Sequence, residues 1–424
     1  MSPENHRLLA ETAAGTRMGT LLRRYWMPAL LSRELVADGA PVRVKLLGED
    51  LVAFRDTDGR VGLLREFCAH RGASLYLAQN EERGLRCWYH GWKYDTQGNV
   101  LEMPCEPAGT PLLSRVKQPA YPCVERNGVI WTYQGPPESK PGMPELEYLL
   151  VPESHVFVSK RLQLCNWTQG MDGDLDPGHV PFLHKGLLDK VVEHAGHAST
   201  EWMVQDLHPK QEVHEIPGGL LYASRRNARA ESYYWRIGTW FAPGFTMLAG
   251  FAGDGPLTGH AWVPIDSERT WVYIFTWHPC RPLTEAELGR MRSGKGTSVH
   301  AELIPGTFIP SHNRTNDWAG PDAPPARQPW MRIKGFQEQD IAITESMGGL
   351  YDRTWENLGA VDNIVVEVRR RLMNAARGEA ELAKSPADYR VRPVSLELPR
   401  SVTAWWDAAG EAMDPRPETF RASA

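Results

Sequence analysis

The sequence predicts an α+β chain in which a small all-β domain precedes a larger domain of antiparallel strands and helices. Three observations point there. Short β-branched runs are punctuated by Asp58-Gly59, Gly72, Gly84 and Gln97-Gly98-Asn99 up to Trp131-Thr132-Tyr133, as a small antiparallel sandwich requires. The segment Gly135-Pro136-Pro137-Glu138-Ser139-Lys140-Pro141 reads as a linker. Beyond it, strand-like runs at 219–224, 233–241 and 270–277 stand among helical patterns without a βαβ alternation.

Taken in order, residues 5–32 read as a short helical arm ending in Tyr25-Trp26-Met27-Pro28, and alternation such as Val42-Arg43-Val44-Lys45-Leu46 begins after Pro41. The expected division is therefore an arm over 1–40, an all-β domain over 41–142 and a second domain over 143–424. The Pro/Gly-rich stretch 304–329 is long for a connection and is a candidate flap over a site. No internal repeat is present.

With 424 residues and 42% hydrophobic content, the chain can bury more than one core. Its 47 basic and 52 acidic residues are interspersed, giving a net charge of -5 and no long basic run to neutralise phosphate or lipid. Nucleic acid and membranes are therefore not expected partners. Met1–Gly15 lacks the order of a secretory signal, and no apolar stretch approaches a bilayer's thickness, so the expected location is cytoplasmic. Six cysteines, at 68, 87, 105, 123, 165 and 280, do not form a disulfide framework and are free for metal chemistry.

Two of them recur with a histidine. Cys68-Ala69-His70 is followed, after sixteen intervening residues, by Cys87-Trp88-Tyr89-His90, so each of two loops offers one thiolate and one imidazole. A tetrahedral zinc is the alternative, but zinc fingers usually group cysteines with cysteines and histidines with histidines. The pairing suits a two-iron, two-sulfide cluster with Cys68 and Cys87 on one iron and His70 and His90 on the other, the Rieske pattern. Neutral imidazoles in place of two thiolates raise the reduction potential and make a one-electron relay. Cys105 and Cys123 lie outside the motif and read as buried thiols.

In the second domain, Asp176-Pro177-Gly178-His179-Val180-Pro181-Phe182-Leu183-His184 follows a helix-like run from Gln163 to Leu175. Five residues of ideal helix turn about 500°, which would splay His179 and His184 apart, so a break at Pro181 is expected between them. Two imidazoles and a carboxylate make the face of a non-heme ferrous oxygenase site. The carboxylate expected here is Asp362, at the start of an amphipathic run containing Val361, Ile364, Val365, Val368 and Leu372. Taken alone, Asp362 reads as a helix cap.

With these motifs in this order, the chain resembles the catalytic α subunit of Rieske non-heme iron ring-hydroxylating oxygenases, and most of all the phthalate dioxygenase-like group. Further support comes from Gly15-Thr16-Arg17-Met18-Gly19 before Arg23-Arg24-Tyr25-Trp26, and from Glu345-Ser346-Met347-Gly348 before Asp352-Arg353. The resemblance implies that Asp176 bridges His179 to a cluster histidine of a neighbouring subunit, so that electrons cross between chains of a homotrimer or stacked trimers. Asp172 matches a position of open role.

The implied reaction is cis-dihydroxylation of an aromatic carboxylate, phthalate- or benzoate-like, with O2. No nucleotide-binding glycine fingerprint and no plant-type cysteine spacing is present, so a separate NAD(P)H-dependent flavin/iron–sulfur reductase is the expected partner. Arg225 and Arg226 end the run Leu220-Leu221-Tyr222-Ala223-Ser224 and point to opposite faces of a strand, so one of them is a candidate carboxylate clamp, a solvated face being the plainer alternative. Tyr233, Tyr234, Trp235, Trp240, Phe241, Phe245 and Trp262 are candidates for a pocket wall or for core. The rival readings are oxidative O-demethylation of a methoxylated aromatic acid, a Rieske electron carrier without chemistry of its own, and a zinc-stabilised binding module.

Overall fold

A computed structural model describes residues 1–188, 198–250, 255–319, 332–333, 335–383 and 385–414. It divides into two compact units, one of Thr12–Lys140 and one of Met1–Glu11 with Pro141–Ala424. The arm expected over 1–40 is thus split. Met27–Leu31 is not helical but a fully buried strand, paired antiparallel with Val129–Thr132. Its run of Met, Pro, Ala and Leu has no polar face to give to solvent, which suits a strand buried on both faces better than an amphipathic helix.

The Thr12–Lys140 unit holds three small antiparallel sheets. One is Met27–Leu31, Val129–Thr132 and Cys123–Arg126; the second is Val42–Leu46, Glu49–Arg55, Val61–Arg65 and Ala120–Tyr121. The third, Gln79–Glu81, Gly84–Arg86, Lys93–Tyr94 and Val100–Glu102, carries the second Cys-His loop between its middle strands. Val52, Phe54, Leu64, Leu75, Leu85 and Tyr94 form the core on which both motif cysteines rest.

The larger unit is built on one antiparallel sheet of eight strands. Its order runs Val156–Gln163, Thr270–Trp277, Leu257–Pro264, Phe245–Leu248, Ser232–Phe241, Gly219–Asn227 and Lys210–Ile216. Val394–Pro399 pairs with the first half of Ser232–Phe241, beyond the residues that pair with Phe245–Leu248. The helices Trp167–Leu175 and Phe336–Ser346 contact each other, and Trp167–Leu175 also contacts the strand Leu257–Pro264. At Gly170 of the first of these helices a Cβ would lie 2.3 Å from the Trp262 ring, so only glycine allows this approach to the sheet.

Most of the aromatic residues weighed as a pocket wall are core instead. Trp235 stacks on Trp405 with centroids 5.7 Å apart, and Phe241 and Phe245 pack on Tyr389. Of the candidate flap, residues 304–319 are described and 320–329 lie outside the described residues. Among the described residues no helix is long and apolar enough to cross a membrane.

Candidate metal centres and cavity

The two Cys-His loops have the same backbone. In each, the Cys N–H donates to a carbonyl five residues on (Cys68 to Ala73, Cys87 to Trp92) and the Cys carbonyl accepts from a glycine four residues on (Gly72, Gly91), all at 2.9 Å. Gly72 and Gly91 sit at φ 72° and 75°, a conformation that glycine adopts without the Cβ clash other residues meet. The rings of His70 and His90 come within 4.5 Å, and His70 stacks on Trp92. Both cysteines are buried.

The Cys87 thiol hydrogen-bonds Cys68 and, with Tyr94 Oη at 3.0 Å, brings Cys68 below the ordinary thiol range in spite of burial. The same contact, with burial, pushes Cys87 well up. One thiolate is favoured and the second opposed, which is the electrostatic situation a cationic iron pair reverses. His90 Nδ1 is buried with no hydrogen-bond partner. The four side chains therefore fit a Rieske cluster.

In the larger unit, ligand atoms of His179, His184 and Asp340 lie within 4.8 Å of one another. The helix Trp167–Leu175 ends at Asp176, whose Oδ1 accepts from Gly178 N at 2.6 Å and Oδ2 from His179 N at 3.2 Å, folding the chain back. A one-turn helix, Val180–Leu183, follows, with the two histidines as its caps. The break expected at Pro181 thus falls earlier. Pro181 sits in the first turn, where no backbone donor is required, and starts the helix instead of breaking it. The two rings meet at 5.3 Å with planes 77° apart.

His184 is fully buried, stacked on Phe336 at 3.7 Å, with its Nδ1 2.9 Å from Gln339 Oε1. Gln339 Nε2 in turn donates to the Ile333 carbonyl at 3.0 Å, which fixes the amide so that its oxygen faces the ring. That leaves His184 Nε2 as a lone pair without a hydrogen bond, although Asp340 Oδ1 lies 3.1 Å away. Two donor atoms this close but not aligned point to a shared third centre. His179 Nε2 is 3.8 Å from the same oxygen. These residues fit a two-histidine, one-carboxylate iron site.

Charge is balanced around them. Burial alone would push Asp340 up, but whenever the facing His184 and His179 rings carry an added proton they hold it below the ordinary carboxylate range. Burial likewise opposes charge on His179, and the carboxylates of Asp176 and Asp340 outweigh it and raise its affinity for protons. Asp176 Oδ2 stands 3.4 Å from His179 Nδ1.

Asp340, and not the expected Asp362, is the carboxylate that stands with the two histidines. Asp362 closes a turn, its Oδ2 accepting from Gly359 N at 2.7 Å, and it stands just before the helix Asn363–Arg377. Its side chain makes no cap bond to that helix and instead reaches back to the start of the preceding turn, so it is tied up there and does not play the cap role that the sequence offered as an alternative. Asp340 was hidden within Phe336-Gln337-Glu338-Gln339-Asp340, a run that reads as a solvated helix face although Gln337, Glu338 and Gln339 are all buried. The available signal was spacing: Phe336, Gln339 and Asp340 stand at i, i+3 and i+4, on one face.

Arg225 and Arg226 also move. Arg226 is buried and braces the metal loop, donating from Nη2 to the Pro177 carbonyl at 2.9 Å and from Nε to the Asp206 carbonyl at 3.2 Å. The Arg225 guanidinium lies over the Tyr233 ring at 4.3 Å on the other face. Neither lines the cavity of about 1160 Å³ that opens onto His179 and Asp340. Arg236, opposite Ser224 on the neighbouring strand, does. Asp172, whose role the sequence left open, is held by Arg369, with Nη2–Oδ2 at 2.6 Å and Nε–Oδ1 at 3.3 Å.

The Gln339→Leu variant tests the support of His184. It should lower affinity for the mononuclear iron by about 10- to 100-fold while leaving the cluster spectrum unchanged. Retention of iron at wild-type affinity would make Gln339 a packing residue only.

A small β-domain with paired Cys-His loops, joined to an α+β unit with a two-histidine, one-carboxylate face, defines a two-centre iron oxygenase. Residues 25–122 match the Rieske [2Fe-2S] domain family and residues 132–399 the family described as LigXa C-terminal domain like. The chain is 34% identical to the 3-chlorobenzoate-3,4-dioxygenase oxygenase subunit of Comamonas testosteroni, over 95% of this chain and 96% of that one. It is 36% identical to the phthalate 4,5-dioxygenase oxygenase subunit of Pseudomonas putida, over 88% and 86%. Crystalline dicamba monooxygenase bound to dicamba shares the fold at 17% identity and a TM-score of 0.60, over 85% of this chain and 99% of that one.

The chain belongs to the Rieske non-heme iron oxygenases. It is an oxygenase subunit of the phthalate dioxygenase-like group, and its cofactors are a Rieske 2Fe–2S cluster and a mononuclear non-heme iron.

Proposed function

We propose that the chain cis-dihydroxylates an aromatic carboxylate of the benzoate or phthalate kind. The observation that carries this reading is Arg236. Its guanidinium lines the cavity, Nη2 donating to the Ala249 carbonyl at 2.5 Å and Nη1 lying 3.2 Å from the Met203 sulfur, while Nε is buried with no partner. No carboxylate is among its hydrogen-bond partners in the described residues, and a half-buried cation whose Nε is buried and open calls for an anion brought by the ligand.

In this reading Cys68, His70, Cys87 and His90 hold the cluster, and His179, His184 and Asp340 hold the iron. When bound, the iron supplies oxygen activation and the cluster single electrons. The protein's own part is positioning. Gln339 orients His184, Arg226 and Asp176 shape the loop before His179, and Arg236 sets the ring's place by its carboxylate.

Asp176 is our candidate for the bridge to a neighbouring subunit's cluster. It sits beside His179, and 26% of its side chain remains exposed to receive a second partner. The same proposal includes a homotrimer or stacked trimers, a separate NAD(P)H-dependent reductase and a cytoplasmic location.

The test is a single turnover of reduced, iron-loaded enzyme with O2 and a panel of aromatic acids, read by mass spectrometry. A cis-dihydrodiol supports the reading; formaldehyde from a methoxylated acid selects O-demethylation instead. Arg236→Gln should raise KM for the accepted acid by about tenfold or more, with a smaller change in kcat, because a charge-assisted bond is lost. An unchanged KM would remove Arg236 from the clamp.

A further inference from the structure

We propose that the cavity holds a second polar anchor, the Asp174–His260 pair, which accepts a hydrogen bond from a hydroxyl group on the substrate ring. The proposal rests on the cavity being the substrate site and deepens that reading by adding a second required substituent.

Asp174 lies near the end of the helix Trp167–Leu175, and its Oδ2 receives three groups from the sheet. Thr246 Oγ1 is 2.5 Å away, His260 Nδ1 2.7 Å and Trp262 Nε1 2.8 Å. The strand register explains the convergence. Thr246 pairs with His260 across neighbouring strands, and Trp262 follows two residues on, so all three side chains share one face. An ionised carboxylate only accepts, so the proton of the contact is on His260 Nδ1. In the neutral ring, Nε2 is then left as an acceptor.

That acceptor is unused. His260 is 2% exposed and lines the cavity, and its Nε2 is buried with no hydrogen-bond partner. The nearby hydroxyl of Thr276 is already bound to His300 Nε2 at 2.9 Å. A plain aromatic ring seated here would leave Nε2 unpaired and dry, which is unfavourable; a ring hydroxyl would satisfy it. Asp174 is a positioning residue, because through Oδ2 it fixes the tautomer and the ring of His260.

The experiment is anaerobic calorimetry on the holoenzyme with benzoate, its three monohydroxy isomers and the matching methoxybenzoates. At least one hydroxybenzoate should bind about tenfold more tightly than both benzoate and its methoxy partner. In His260→Phe, which keeps a flat ring without an acceptor, that ratio should fall to about one. His260→Gln, whose amide oxygen reaches a similar place, should restore part of it, and Asp174→Asn should reduce the ratio by freeing the tautomer. Circular dichroism and iron content show whether each variant folds, and the Gln variant carries the test should the Phe variant not. The proposal is overturned if no isomer is preferred, as when a water fills the position, or if the preference survives His260→Phe. Should no benzoate bind at all, the carboxylate reading fails by itself, and phenol against anisole decides the His260 proposal.

Discussion

Asp340→Asn should leave a protein with about two irons per chain in place of about three, with the cluster intact and product formation lost. Asp362→Asn should keep all three. The contrast follows from what each carboxylate faces. Asp340 Oδ1 lies 3.1 Å from a His184 nitrogen that has no hydrogen bond, whereas Asp362 is spent on the Gly359 N–H. Removing Asp340 takes the anion from a site whose two remaining ligands are neutral, and iron affinity should fall by at least about a hundredfold, more than for a supporting residue. The Asp362 variant instead loses a turn contact, which costs about 1 kcal/mol of stability. Metal analysis after gel filtration, beside single-turnover product yield, reads both. Loss of iron from the Asp362 variant alone would restore that residue as the ligand.

The second large effect is expected at the cluster. His90→Cys adds a thiolate where a neutral ring stands, and the reduction potential should drop by on the order of 250 mV toward that of all-cysteine ferredoxins. Electron transfer from a reductase matched to a Rieske potential would then be uphill, and steady-state turnover should fall by at least about a hundredfold, while chemically reduced enzyme still forms product once. The loop is suited to accept the change. Its backbone is set by Gly91 and by the Cys87–Trp92 bond, not by the His90 side chain, whose Nδ1 has no partner. Potentiometry followed by electron paramagnetic resonance would show the shift; a variant that keeps its potential would mean that His90 is not a ligand.

Both predictions depend on residues of different legibility. The pairing of Cys68 and His70 with Cys87 and His90 was readable because each loop is local: the Cys-His spacing and the glycine that allows the turn lie within six residues, so sequence distance and spatial distance coincide. His179 and His184 were readable for the same reason, although the geometry between them was not, since Pro181 opens a new helical turn where a break was expected. The strands 219–224 and 233–241 were found in place and somewhat longer, and 270–277 with the expected bounds, because alternation is also a local property.

The sequence by itself determined the class of this protein: two iron centres, an all-β cluster domain, an α+β catalytic unit, and the loops that carry six candidate metal ligands. Tertiary structure decided the rest. Which carboxylate completes the iron site depends on the contact between helices more than 160 residues apart, Trp167–Leu175 and Phe336–Ser346, and three buried polar neighbours gave Asp340 the look of a solvated surface. Which arginine faces the cavity depends on the register of two strands, Ser224 opposite Arg236, and a shift of one residue would have sent it to the other side. Residue types and short spacings specify local chemistry, but the partner of a buried charge is set by packing between distant segments, and no local pattern encodes that.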